Sequence, residues 1–154
     1  MIINNLSIPY VISKFNSHNK IKETLLLNIQ NSSYEKLEAK DQYYSDNIQK
    51  LDWHKNTDFE RPWVKQFLPF LNKQILDMIK PLGFKNFSLP VLWYQQYLEN
   101  GKHGWHVHGD NYTGVYYLNH DSSVQNTNYY DQYNDEIKSF NVKEGDVVIF
   151  PSFL

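Results

Sequence analysis

The apolar positions of this chain recur at helical spacing through its first half and at strand spacing through its second. Val64, Phe67, Leu68, Leu71, Ile75, Met78, Ile79 and Leu82 return at steps of three and four, the period of one buried helical face. That spacing predicts a helix from Arg61 to Pro81. Pro62 suits its first turn and Gly83 its end, whereas Pro69 predicts a kink or a break. Ile21, Leu25 and Ile29 predict a shorter helix over 17–30. Before it, residues 6–15 carry β-branched and aromatic side chains and predict a strand, with Pro9 restricting that strand to a sheet edge. Residues 31–58 are polar and irregular and read as a long loop. After Lys85 the period shortens to two, with segments at Val91–Leu98, Trp105–His108, Tyr112–Asn119, near 123–130 and 137–142, and at Asp146–Phe150 behind a Glu144-Gly145 turn. Helices first and short strands afterwards predict an α+β domain with a β-sandwich or jelly-roll core.

Composition narrows the function classes. A length of 154 residues makes one domain with a real core, divided here into an N-terminal strand and helices over 1–84 and a β core over 85–154. Twelve Tyr, nine Phe and four Trp exclude a disordered chain. The formal charge of −2 gives no electrostatic case for nucleic acid or an anionic membrane as an obligatory partner. With no cysteine there is no disulfide, thiolate metal site or thiol nucleophile. No apolar run is long enough to span a bilayer and no signal-peptide pattern opens the chain, so a soluble cytoplasmic protein is expected.

The chemistry concentrates in Gly101-Lys102-His103-Gly104-Trp105-His106-Val107-His108-Gly109-Asp110, which holds three histidines within six residues. On a strand, residues i and i+2 share a face, so His106 and His108 would project together while Val107 points away. Two imidazoles so placed can reach one divalent ion, neutral histidine being the commonest metal ligand. Asp110 continues the same parity and offers a carboxylate, although Gly109 suits a strand end. The plain alternative is a solvated glycine-rich hairpin whose histidines fill polar positions, and a lone His-x-His motif does not exclude it.

The neighbouring segments add specificity. A Trp93-Tyr94-Gln95-Gln96-Tyr97 run precedes Gly101 and the Trp105-His106-Val107-His108 segment. Tyr116-Tyr117-Leu118-Asn119 and Gly145-Asp146-Val147-Val148-Ile149-Phe150-Pro151-Ser152 follow in order. Over residues 90–154, and more weakly around Asp52-Trp53 and the helix after it, the chain resembles the iron(II)- and 2-oxoglutarate-dependent oxygenases. It is most similar to their prolyl-hydroxylase-like branch and its small phage-associated relatives. The resemblance implies a double-stranded β-helix (jelly-roll, cupin-like) core with helices packed on one side. It also implies Fe(II) as cofactor, 2-oxoglutarate as co-substrate, ascorbate as a supporting reductant, and location in the cytoplasm of a host cell for a phage-encoded protein. The activity implied is that of a dioxygenase hydroxylating a primary substrate that the sequence does not identify.

Carried over residue by residue, the resemblance makes His106 the first metal ligand of the family's facial triad. The residue two further on is His108 where the usual pattern has a carboxylate; alternatively the motif shifts to His108-Gly109-Asp110, which restores one. Strand parity favours His106 with His108, and Asp110 stays as the second choice. Tyr97 and Tyr117 match tyrosines that line the co-substrate pocket, where a phenol can donate to a dicarboxylate. Trp105 reads as pocket wall. His103 reads as loop, or as a substrate contact, and His18, His54 and His120 match no ligand.

The family's distal histidine and its basic 2-oxoglutarate anchor have no counterpart, since no histidine follows His120 and the single arginine is Arg61. The expectation is therefore a C-terminally truncated jelly roll that lacks its last strand or strands, binds iron weakly and does not turn over 2-oxoglutarate. A cupin-type metal- or ligand-binding module without redox activity is the alternative, because the same barrel serves both.

Overall fold

The structure, a computed structural model, describes residues 9–40 and 45–154. Two helices and several antiparallel strand pairs make it an α+β fold. The chain forms two compact units: one from residues 1–18, 74–85 and 107–154, the other from residues 19–73 and 86–106.

The first unit is built on a three-stranded antiparallel sheet. Its members are β1 (Val11–Lys14), β5 (Tyr112–Tyr116) and β8 (Asp146–Pro151), with β8 in the middle. Val11 faces Ile149 on one side of β8, and Gly114 faces the same residue on the other. The edge strand expected over 6–15 is thus found at β1, its first residues lying outside those described. β8 is the most apolar strand, and Val147, Val148, Ile149 and Phe150 are all buried. Val148 and Phe150 form a core with Phe140 and Val142, against which Ile12, Val115, Tyr117, Tyr129 and Leu154 pack. Gly145 opens β8 at φ 81°, a left-handed conformation that only glycine adopts without cost. The weaker strands expected near 123–130 and 137–142 are a hairpin, β6 (Asn128–Asp131) against β7 (Glu136–Ser139). Asp131 holds its turn, with Oδ1 accepting the N–H groups of Tyr133 and Asn134 at 3.1 and 3.3 Å.

The second unit carries most of both helices. The helix α1 (His18–Gln30) buries Ile21 and Leu25, as their spacing predicts. The helix α2 (Pro62–Ile79) begins at the proline expected in its first turn and ends in a short 3-10 turn capped by Gly83 at φ 87°. It runs through Pro69 without a break. The bond that Pro69 cannot make would go to the carbonyl of Lys65, and both residues are exposed, so water can take that carbonyl.

The polar stretch 31–58 is not the loop expected. Within it, β2 (Glu35–Lys40) and β3 (Ser45–Leu51) pair antiparallel, and β4 (Gln95–Gln96) joins the other edge of β3. Val91–Leu98 is a strand only over β4. The backbone elsewhere in that segment finds other partners: Leu92 N–H donates to Asn56 O at 2.9 Å, and Tyr94 N–H to Asp52 Oδ1 at 2.9 Å. Asp52, Arg61, Trp63 and Tyr94 form a buried polar node. Asp52 Oδ2 accepts Trp63 Nε1–H at 2.9 Å and the Arg61 guanidinium, which also donates to the carbonyls of Asp58 (2.6 Å) and Leu92 (2.5 Å). No helix among the described residues is long and apolar enough to cross a membrane.

Candidate functional site

The segment 105–108 is not a strand. The parity argument for His106 and His108, which requires a strand, therefore does not apply. The boundary between the two units falls between His106 and Val107, placing His106 in the second and His108 with Asp110 in the first.

In the second unit the loop 100–106 is fastened to β3. Asn47 and Lys102 exchange backbone hydrogen bonds at 2.8 and 3.0 Å. One residue earlier on β3, the buried carboxylate of Asp46 accepts the N–H of Gly104 through Oδ1 at 2.8 Å. The same oxygen lies 3.8 Å from Nε2 of His103. The imidazoles of His103 and His106 stack at 4.0 Å, their planes 27° apart. His106 Nδ1 is 2.7 Å from the carbonyl of Gly104; a carbonyl only accepts, so this nitrogen carries the proton. Nε2 is then the ring nitrogen with the lone pair.

Tyr97 is 40% exposed and donates its hydroxyl to Gln95 Oε1 at 2.6 Å, and Gln95 Nε2 lies 3.5 Å from His103 Nδ1. A polar chain thus runs Tyr97–Gln95–His103, with Asp46 near its end and His106 stacked on its third member. Gln95, His103 and Asp46 were not selected from sequence as site residues. In the sequence His103 is the loop member of the motif, and Asp46 falls in a polar, irregular stretch. No sequence signal marks Asp46; only in the folded strand does its burial, with that of Ile48, alternate with the less buried Asn47 and Gln49.

In the first unit the backbone N–H of His108 donates to Ser152 O at 3.2 Å, and Ser152 N–H donates to Asn111 O at 3.1 Å. The end of the histidine segment therefore lies against the end of the Phe-Pro-Ser strand. The buried hydroxyl of Ser152 is 2.8 Å from Thr113 Oγ1 on β5. His108 is half-buried and Asp110 is exposed. Tyr117 packs on the Phe140–Phe150 core and donates its phenol to Thr127 Oγ1 at 2.7 Å. Burial pushes that phenol above its ordinary pKa, partly offset by the bond to Thr127.

His18, which matched nothing in the sequence motifs, is buried in the first unit. Its Nδ1 is 2.7 Å from the Tyr116 hydroxyl and its Nε2 is 3.5 Å from Glu144 Oε1. Burial, reinforced by the charge of Glu144, pushes the Tyr116 phenol far above its ordinary value. His120 Nε2 bonds to Asn126 Oδ1 at 2.7 Å. Among the described residues, no three His, Asp or Glu side chains converge as a metal ion would require. A cleft of about 410 Å³ in the second unit, lined by Asn28, Ser32, Lys55, Asp58 and Arg61 among others, contains none of the candidate site residues. The chain matches no known family model, no curated protein and no solved structure.

Proposed function

We propose that the chain is an iron(II)- and 2-oxoglutarate-dependent oxygenase of the hydroxylase type, with a jelly-roll core to which β1, β5 and β8 belong. The reading rests on the four ordered motif blocks. The single observation that carries it furthest is the meeting of two of them, His108 N–H on Ser152 O, beside the Tyr112–Tyr116 strand paired along β8. His106 would supply the first metal ligand. Its Nδ1 proton is held by the Gly104 carbonyl, so Nε2 is the donor a metal ion needs, and in this respect the residue fits. His108 would supply the second ligand, with Asp110 as its competitor, both assigned from the motif rather than from convergence. Iron(II) with 2-oxoglutarate would supply the oxygen chemistry, hydroxylating a C–H bond while the oxo acid is converted to succinate. Tyr97 and Tyr117 would donate phenol hydrogen bonds to the co-substrate, exchanging their present acceptors Gln95 and Thr127. The cytoplasm is the proposed compartment.

The test is iron- and ascorbate-dependent succinate release by the protein as its gene encodes it. His106→Ala should abolish both iron binding and turnover. His108→Ala and Asp110→Ala separate the two candidates for second ligand, since only the true ligand should cost iron affinity. Tyr97→Phe and Tyr117→Phe should weaken 2-oxoglutarate binding more than iron binding. Metal binding that needs His106 without any 2-oxoglutarate turnover would favour the cupin-type module, and iron affinity indifferent to His106 would end the metal reading.

A further inference from the structure

We infer that Asp46 is a positioning residue that sets the tautomer of His106. The inference rests on the reading of His106 as a metal ligand, but its first observable needs no metal. His106 is exposed, and an imidazole in water prefers its proton on Nε2, the wrong nitrogen for a ligand that must coordinate through Nε2. Something must therefore hold the proton on Nδ1, and here it is the Gly104 carbonyl at 2.7 Å. A glycine carbonyl in a loop faces a fixed direction only if its residue is clamped. Asp46 provides the clamp, accepting the Gly104 N–H at 2.8 Å from a buried position on a strand. The Asn47–Lys102 backbone pair anchors the same loop two residues earlier.

The other histidine of the stacked pair takes the opposite tautomer. Gln95 Nε2 lies 3.5 Å from His103 Nδ1, and an amide N–H there requires the lone pair on that nitrogen. The His103 proton then sits on Nε2, facing Asp46 Oδ1 at 3.8 Å. Gln95 thus favours one tautomer of His103 and Asp46, through Gly104, favours the other in His106, with the two rings stacked at 4.0 Å. Such outer partners of a metal-ligating histidine typically govern metal affinity by about 10- to 100-fold.

The experiment is a long-range nitrogen–proton correlation on protein with labelled histidine rings, with H106Q and H103Q assigning the two signals, followed by titration with cobalt(II). In the unsubstituted protein His106 should carry its proton on Nδ1. D46A should move His106 toward the Nε2–H form and weaken cobalt(II) binding by about tenfold or more. D46N keeps an oxygen for the Gly104 N–H and should restore both. If D46A does not fold, D46S, whose hydroxyl stops short of Gly104, takes its place. An Nε2–H tautomer in the unsubstituted protein, or a His106 signal unmoved by loss of the Asp46 oxygen, overturns the inference. A tautomer that follows Asp46 in a protein that binds no cobalt(II) sustains the positioning role and removes the metal reading instead.

Discussion

Removing the Asp52 carboxylate would strand three donors at once: the Arg61 guanidinium, the Trp63 indole N–H and the Tyr94 backbone N–H. Both charged partners are buried, so nothing from solvent replaces the lost acceptor. Breaking one partner out of a buried pair costs about 3–5 kcal/mol, and D52A should lower stability by that much in urea unfolding. Arg61 is correspondingly fully engaged in the fold, and R61K, which cannot reproduce three separate donations from a planar fork, should fall between the two. The glycines divide in the same way. A Cβ on Gly145 would lie 3.0 Å from the His18 ring on a backbone already at positive φ, whereas one on Gly109 meets nothing within 4 Å. G145A should therefore cost at least about 1 kcal/mol in thermal unfolding. G109A, inside the histidine motif itself, should stay within about 0.5 kcal/mol.

At the scale of elements, the sequence was legible wherever burial was one-sided and periodic. Both helices are found within two residues of their expected ends, because Ile21 and Leu25 on one and Trp63 to Ile79 on the other keep a single apolar stripe. β8 was legible for the opposite reason: after Asp146 it is apolar without interruption from Val147 to Pro151, as a strand with neighbours on both sides is. V148A, at a fully buried position in that strand, should cost about 2 kcal/mol in urea unfolding. β2 and β3 were illegible because their side chains are mostly charged or amide groups and their pairing is made by backbone bonds that leave no mark on composition. The candidate site shows the same division. His106 stood out through its motif. Asp46, which reaches the loop through one backbone N–H some 58 residues away, had no local signature. Trp105–His108 is not a strand: Gly104 N–H, just before it, donates to the Asp46 carboxylate, and His108 N–H donates to Ser152 O, neither bond belonging to a strand ladder.

For the whole molecule, one buried and two half-buried tyrosines set an alkaline limit. Tyr94, Tyr116 and Tyr117 are each raised above the ordinary phenol value of 10.0, burial being the largest cause in all three. In the folded state they stay protonated at a pH where the unfolded chain ionises, so the folded state binds more protons and stability falls as pH rises. Their contribution is complete below about pH 10 and is lost progressively above it. Urea midpoints should therefore decline from pH about 9 upward together with the rise of tyrosinate absorbance, and Y117F should shallow that decline. A midpoint flat to pH about 11 would show that these phenols are not shielded. The order of β1, β8 and β5 has a consequence in time rather than in energy. Among the described residues β8 alone bridges β1 and β5, and Val11 meets Ile149 across nearly the whole chain. Closing so long a loop is slow, and during synthesis β1 and β5 must both wait for β8 to leave the ribosome before either has a neighbour. The second unit, supplied by residues 19–73 and 86–106, faces no such delay. A nascent chain stalled before Asp146 should thus protect β3 from proteolysis while leaving β5 open to it.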